Sequence, residues 1–151
     1  MTKKFQLPTL TIVLPTESPL SGYRFSEPED ACEVGPSTNL VLTGINTFTL
    51  NLFDKPNESQ VENETVPQII EYMGNCAGLP HAKGILEQRD KFPFEWRDFY
   101  ALFPNTLWRD LFGLLIPALF WHPHENTLAP IWIRPNQLSP GCRIVTVNLN
   151  E

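Results

Sequence analysis

The sequence contains few cysteines, and their spacing is too wide for a shared structural role. Cys32, Cys76 and Cys142 are the three cysteines among 151 residues, and no Cys-x-x-Cys pair occurs. An odd number without paired spacing predicts neither a disulfide framework nor a structural zinc site. We therefore expect a protein of the reducing, cytoplasmic compartment that requires no cofactor.

Long apolar runs are also missing. The segment Leu111–Trp121 is apolar and free of charge over 11 residues, whereas a helix that spans a bilayer needs about 20. Near the start of the chain, Phe5–Leu14 is interrupted by Pro8, Thr9 and Thr11, so we expect no signal peptide there. The sequence predicts no membrane association.

Positive charge is in short supply. The formal net charge is −6, and residues 17–71 hold ten acidic side chains against two basic ones. Residues 72–151 carry seven side chains of each sign and are balanced. An acidic domain without a stripe of lysines and arginines repels phosphate backbones. Direct, sequence-independent binding of nucleic acid is therefore not expected.

Proline, in contrast, is abundant. The 15 prolines amount to about twice the usual share and are spread along the chain. This distribution predicts many turns and short elements. The length is that of one ordinary domain, so we expect residues 1–151 to form a single domain, with long acidic and proline-rich loops at 15–38 and 54–64.

Both ends of the chain have the alternating pattern of β-strands. Leu10, Ile12 and Leu14 alternate with Thr11 and Val13. Thr47–Phe53 places Phe48, Leu50 and Leu52 on one side, with Thr47, Thr49 and Asn51 on the other. We expect Asn39–Thr43 to pair with Thr47–Phe53 in a hairpin around Gly44. Further strands are expected at Ile131–Arg134 and at Cys142–Leu149.

The middle of the chain has the pattern of helices. Thr65 and Gln68 form a capping box, which predicts a helix that ends at Gly74. A loop from Gly74 to Gly84 and a short helix at Ile85–Lys91 are expected to follow.

Aromatic residues dominate the next segment, since eleven of the 17 fall within 41 residues. Phe92, Trp96, Phe99 and Phe103 are spaced four, three and four apart, which predicts one apolar helical stripe that ends at Pro104. A second helix is predicted from Asn105 to a kink or end at Pro117. The expected fold is α+β: a small antiparallel or mixed sheet of N- and C-terminal strands, packed by an aromatic-rich helical pair.

A cysteine between glycines raises the question of a nucleophile. Gly74-Asn75-Cys76-Ala77-Gly78 has the outline of a nucleophile elbow, and His81 could activate the thiol if the fold brings the two together. An elbow requires a strand before the nucleophile, yet a helix is predicted there, and Pro80 stands where the following helix should begin. The ordinary interpretation is a small buried cysteine, so we assign no catalytic residue.

The only histidine cluster is Trp121-His122-Pro123-His124-Glu125. An extended His-x-His pair points both imidazoles to one side, so His122 and His124, with Glu125 or His81, are candidates for zinc or iron ligands. A third ligand at motif spacing is missing, and such residues are more often polar surface groups. We therefore predict no metal site.

The aromatic belt has two interpretations. It supplies core, but several members lie off the helical stripe and are candidates for a binding surface: Tyr100, Trp108, Phe120, Trp121 and Trp132. Exposed Trp and Phe beside arginine is typical of interaction hot spots. The favoured hypothesis is a non-enzymatic accessory or structural subunit of a multiprotein complex, which docks onto a protein partner or a second copy through this surface. The alternatives are a small thiol- or metal-dependent enzyme and a module that binds a small ligand in an aromatic-lined pocket.

Overall fold

A large mixed β-sheet forms the centre of the protein. The computed structural model describes residues 7–14, 26–35, 44–52, 66, 70–71, 74–138 and 141–148. Within them lie eight strands: β1 (Leu10–Leu14), β2 (Cys32–Gly35), β3 (Gly44–Leu52), β4 (Tyr100–Leu102), β5 (Leu107–Asp110), β6 (Gly113–His122), β7 (Thr127–Ile133) and β8 (Cys142–Asn148). One α-helix with described bounds, α1 (Leu79–Glu87), accompanies them, together with 3-10 turns at Arg89–Lys91, Phe94–Trp96 and Pro135–Gln137.

The α+β prediction is therefore wrong: the fold is mostly β, and the sheet is not small. The strands follow the order β1-β3-β8-β4-β6-β5-β2, and β7 pairs with the other edge of β6. β4 and β8 run parallel, and the other pairs are antiparallel. The N- and C-terminal strands do share one sheet, since β3 pairs with β8 over six residues.

The sheet has two covered faces because side chains alternate along each strand. On the first face, α1 packs over a cluster that includes Phe48, Ala101 and Leu119. On the second face, a separate cluster includes Leu102, Ile116 and Ile144. Members of β4 and β6 belong to both clusters, so the middle strands are buried from both sides.

Helix α1 begins earlier than the sequence predicted, inside the expected Gly74–Gly84 loop. Gly78 is its N-cap, and Pro80 lies in the first turn, where a missing N–H has no helical partner. Gly84 faces β1 so closely that a Cβ atom at this position would clash with Leu14. Gly84, one of the glycines that suggested a loop, is thus required for close packing of the helix on the sheet.

The predicted helical pair is absent. The segment from Phe92 to Phe103 forms one 3-10 turn and β4, and the segment from Asn105 to Pro117 forms β5 and part of β6. The aromatic stripe was nevertheless correct about burial for three of its four members: Phe92, Trp96 and Phe103 are buried, whereas Phe99 is only half-buried. Spacing therefore identified core residues but not their secondary structure.

Strand β6 explains the error. Residues 113–119 are all buried, because the strand is covered on both faces. Such a strand reads as a continuous apolar run, which periodicity cannot distinguish from a buried helix. Pro117 has no N–H to donate, and it is tolerated because its position on β6 faces the gap between the end of β4 and the start of β5. Its carbonyl accepts a hydrogen bond from the Phe103 amide at 2.9 Å.

The terminal strands lie close to their predicted positions, but the hairpin turn predicted around Gly44 is wrong, because Gly44 begins β3 and pairs with Leu14 of β1. β1 alternates buried and exposed residues over Leu10–Leu14, and β3 buries Phe48 and Leu50 while Thr47 and Thr49 are half-buried. β8 closes the chain close to the predicted bounds, and β7 extends the strand predicted at 131–134 towards the N-terminus. β2 lies inside the predicted 15–38 loop.

Only part of the helix predicted after Thr65 is described. Val66, Ile70 and Glu71 are helical, and Gly74 adopts φ +82° while its amide donates to the Ile70 carbonyl at 3.0 Å. The predicted helix end at Gly74 is thereby confirmed. The predictions for residues 39–43 and 54–64 lie outside the described residues, as do 15–25 and 36–38 of the predicted 15–38 loop.

Candidate functional site

The hairpin that joins β5 to β6 carries two apolar side chains at its tip. Asp110 pairs with Gly113, and Leu111 and Phe112 form the two-residue turn between them. Leu111 is 90% exposed and Phe112 is 80% exposed. Two-residue hairpin turns usually contain Gly, Asn or Asp, since these residues accept the required backbone angles and face water. Neither Leu111 nor Phe112 has a positive φ, so the backbone of this turn accepts them, and the departure from the usual pattern is that two apolar side chains face water.

An ion pair between Arg134 and Asp110 restrains the turn. Arg134, just after β7, donates from both terminal nitrogens to the two carboxylate oxygens of Asp110, one of them at 2.9 Å. The same carboxylate accepts the backbone amide of Phe112 at 2.8 Å. The guanidinium also lies 5.6 Å from the centre of the Phe112 ring. Bidentate pairing fixes direction as well as distance, so the turn is held in one geometry.

This arrangement lowers the pKa of Asp110. The hydrogen bonds from Arg134 lower the pKa from 3.8 to about 2, and the amides of Phe112 and Gly113 act in the same direction. Partial desolvation opposes these effects, because the Asp110 side chain is 14% exposed. The carboxylate therefore stays ionised, and the ion pair intact, throughout the physiological pH range.

Two tryptophans lie beside the base of this hairpin. Trp108 of β5 and Trp132 of β7 make an edge-to-face contact with ring centres 5.9 Å apart, and the Trp132 indole donates to the Ser26 carbonyl at 2.8 Å. Both rings are half-buried. The indole N–H of Trp108 is buried and has no hydrogen-bond acceptor among the described residues. The structure thus brings together two of the five predicted binding residues.

The other three predicted binding residues lie elsewhere. Tyr100 and Phe120 lie side by side on the second face of the sheet, with their ring centres 5.5 Å apart. Trp121 is on the first face, where its ring stacks on that of Phe92 with the ring centres 6.5 Å apart. The five aromatic residues therefore do not form one surface, and none of them is at an exposed helical site.

The thiol and imidazole considered for catalysis are separated by the sheet. Cys76 belongs to the core of the second face, opposite Thr146 of β8, and burial raises its pKa to about 12. His81 belongs to α1 on the first face, where its ring contacts that of Phe48 with the ring centres 5.5 Å apart. Its Nδ1 accepts the Gly78 amide at 3.0 Å, which helps to cap the helix. This geometry provides no activated thiol.

The histidine pair after β6 is poorly arranged for a metal. The rings of His122 and His124 are 5.9 Å apart, but Nδ1 of His122 accepts the Glu125 amide at 3.2 Å. A neutral ring that accepts at Nδ1 carries its proton on Nε2, which leaves no lone pair for a metal. Within the described ranges, no group of three or more His, Cys, Asp and Glu side chains is placed to hold a metal ion.

Comparison with known proteins gives no further assignment. No protein-family model matches the sequence, and no curated protein or solved structure is significantly similar to it. In the part of the chain that is described, none of the helices has both the length and the apolar character to traverse a bilayer.

The exposed tip was missed by sequence reasoning, although a signal for it is present. Asp110 and Gly113 stand at the first and fourth positions of a four-residue segment, where type I turns favour aspartate and glycine. The apolar run that follows concealed this turn inside a predicted helix. Leu111 and Phe112 were accordingly assigned to a buried helix rather than to the surface.

Proposed function

We propose that the protein is a non-enzymatic accessory subunit of the cytoplasm, which docks onto a protein partner through the turn Leu111–Phe112. The observation that carries the proposal is the exposure of two large apolar side chains, 90% and 80%, on a turn fastened by Asp110 and Arg134. The docking surface comprises this turn with Trp108 and Trp132 beside it. It belongs to strands and a turn, not to the helices originally expected.

Energetics support this choice. Apolar side chains left in water forgo the free energy of burial, which is about 25 cal/mol for each Å². A binding partner recovers that free energy without distorting the turn, because the geometry is already set before contact. Interface hot spots are rich in tryptophan and arginine around a buried apolar centre.

Charge defines the partner more closely. Arg134 is neutralised by Asp110, but the exposed Arg109 makes no ion pair with any described residue. A complementary partner therefore offers an apolar pocket for Leu111 and Phe112, with a carboxylate at its rim for Arg109. This surface chemistry suits a protein better than a nucleic acid, since a single unpaired arginine supplies few phosphate contacts.

The decisive experiment compares two matched surface substitutions. Phe112→Ser and Ile45→Ser each remove an exposed apolar side chain, since Ile45 is 72% exposed on β3. Untagged protein is isolated with its assembly from native cells and sized by sedimentation. We expect Phe112→Ser to release the partner with an unchanged Tm, and Ile45→Ser to retain it.

The proposal fails if Phe112→Ser keeps the complete assembly. Purified wild type is sized over a range of concentrations in parallel. A dimer that depends on Phe112 would make the partner a second copy of the chain, and the pocket would then be sought on the same molecule.

A further inference from the structure

A second surface site lies on the first face of the sheet, near the other end of β6. Arg97 follows the 3-10 turn Phe94–Trp96, and its guanidinium carbon lies 3.7 Å from the centre of the Trp121 ring and 5.1 Å from that of Phe94. The planar cation is thus stacked against two aromatic rings. Stacking on ring faces leaves the N–H groups in the plane of the guanidinium available for a ligand.

The hydrogen-bonding capacity of Arg97 is not used within the described part of the protein. Its Nε is buried without an acceptor, and no ion pair or hydrogen bond of the Arg97 side chain is found there, although its backbone amide donates to the Phe94 carbonyl at 3.1 Å. Arg134 and Arg143 also lie over aromatic rings, but Arg134 binds Asp110 and Arg143 donates to the Cys142 carbonyl at 2.9 Å. A desolvated donor without a partner is unfavourable, and more so when it is charged. Arg97 therefore differs from the other stacked arginines, because its side chain has no acceptor among the residues that the structure describes.

We propose that Arg97, held against Trp121 and Phe94, is a receptor for the carboxylate of an apolar ligand. The terminal amino groups meet the two carboxylate oxygens end-on, since Nε is enclosed. This site is separate from the docking turn and does not depend on it. β6 spans ten residues between the two.

Neighbouring groups select the ligand class. Glu95 and Asp98 flank Arg97 in sequence and are exposed, so the local field disfavours a doubly charged ligand more than a singly charged one. A carboxylate is preferred over a phosphate on this ground. Phe94 is 73% exposed and offers an apolar surface beside the cation. The ligand is therefore a monoanion with an apolar or aromatic group attached.

Phenylacetate is a suitable probe, and phenylacetamide is its uncharged control. The intact protein is titrated with each while the indole signal of Trp121 is followed by NMR. We expect a saturable shift with phenylacetate and none with phenylacetamide. Equal shifts with both probes, or tighter binding of inorganic phosphate than of phenylacetate, would overturn the proposal.

Substitutions locate the site. Arg97→Lys keeps the charge but loses the planar fork, and Arg97→Gln loses both, so we expect binding to weaken by about tenfold and about a hundredfold. Lys83→Gln removes an exposed cation of α1 outside the site and should leave phenylacetate binding unchanged. Unaltered backbone spectra of the Arg97→Lys variant show that a loss of binding is not caused by a loss of folding. Equal loss in Lys83→Gln would show non-specific attraction and refute the assignment.

Two sources can supply this chemistry, a small organic acid and the carboxyl terminus of a polypeptide. A tetrapeptide that ends in phenylalanine is compared with its C-terminal amide. Tighter binding of the free acid than of phenylacetate would identify polypeptide termini as the ligand, and weaker binding would identify a small acid. Either result supports the receptor, whereas tighter binding of the amide than of the free acid contradicts it.

Discussion

Arg134 binds both carboxylate oxygens of Asp110, and this contact joins the end of β7 to the turn between β5 and β6. The pair lies directly behind Leu111 and Phe112. This ion pair therefore helps to set the geometry of the proposed docking surface. An isolated ion pair at a surface contributes little to stability, but one that restrains a turn affects what the turn presents.

Removal of Arg134 should loosen the turn without unfolding the protein. In Arg134→Gln the Asp110 carboxylate loses its bidentate partner, so the segment 110–113 opens more often. We expect chymotrypsin to cleave after Leu111 or Phe112 several-fold faster than in the wild type. Arg109→Gln is the control, and equal cleavage rates in Arg134→Gln and wild type would show that the ion pair does not restrain the turn.

The same ion pair predicts a specific pH dependence. The pKa of Asp110 is lowered from 3.8 to about 2 in the folded state, so its contribution to stability is complete above pH 3.8. That contribution is lost as the pH falls through the folded value of about 2. Carbon NMR of the labelled carboxyl group should give a midpoint near 2.

Stability measurements provide an independent check of this pH dependence. The difference in the free energy of unfolding between wild type and Asp110→Asn should shrink as the pH is lowered from 3.8 towards 2. A difference that stays constant over this range would show that Asp110 is not the titrating group.

The three cysteines should differ sharply in reactivity. Cys32 is exposed, whereas Cys76 and Cys142 are buried. Burial raises the pKa of Cys76 to about 12, so almost no thiolate exists at neutral pH. We expect iodoacetamide to modify one thiol quickly in the native protein, at Cys32, and all three in denaturant. Rapid native modification of Cys76, detected by peptide mass spectrometry, would restore interest in a thiol-dependent activity.

Burial distinguishes two members of the aromatic stripe. Phe103 is fully buried, so Phe103→Ala should lower the free energy of unfolding by about 3–5 kcal/mol. Phe99 is half-buried beside Arg143, so Phe99→Ala should cost clearly less. Urea denaturation measures both values under the same conditions. An equal loss for the two variants would mean that the exposed side of Phe99 has no energetic consequence.

The sequence alone determined the strands β1, β3 and β8 and several core residues of the sheet. Buried and exposed residues alternate in β1, and apolar residues alternate with polar ones over 47–51 of β3, because one face of each strand is less deeply covered, and that alternation can be read directly. The glycine that ends a helix at Gly74 was also readable, since a positive φ favours this residue. Phe92, Trp96 and Phe103 were assigned to the core correctly because large aromatic residues are buried in either secondary structure.

Only the tertiary structure decided the centre of the sheet and the candidate sites. β6 is buried on both faces, so its sequence carries no alternation, and helix and strand remain indistinguishable until its neighbours are present. The exposure of Leu111 and Phe112 follows from a turn that β5 and β6 create by pairing. The separation of Cys76 from His81 and the stacking of Arg97 on Trp121 likewise arise from contacts between distant segments, which no local pattern encodes.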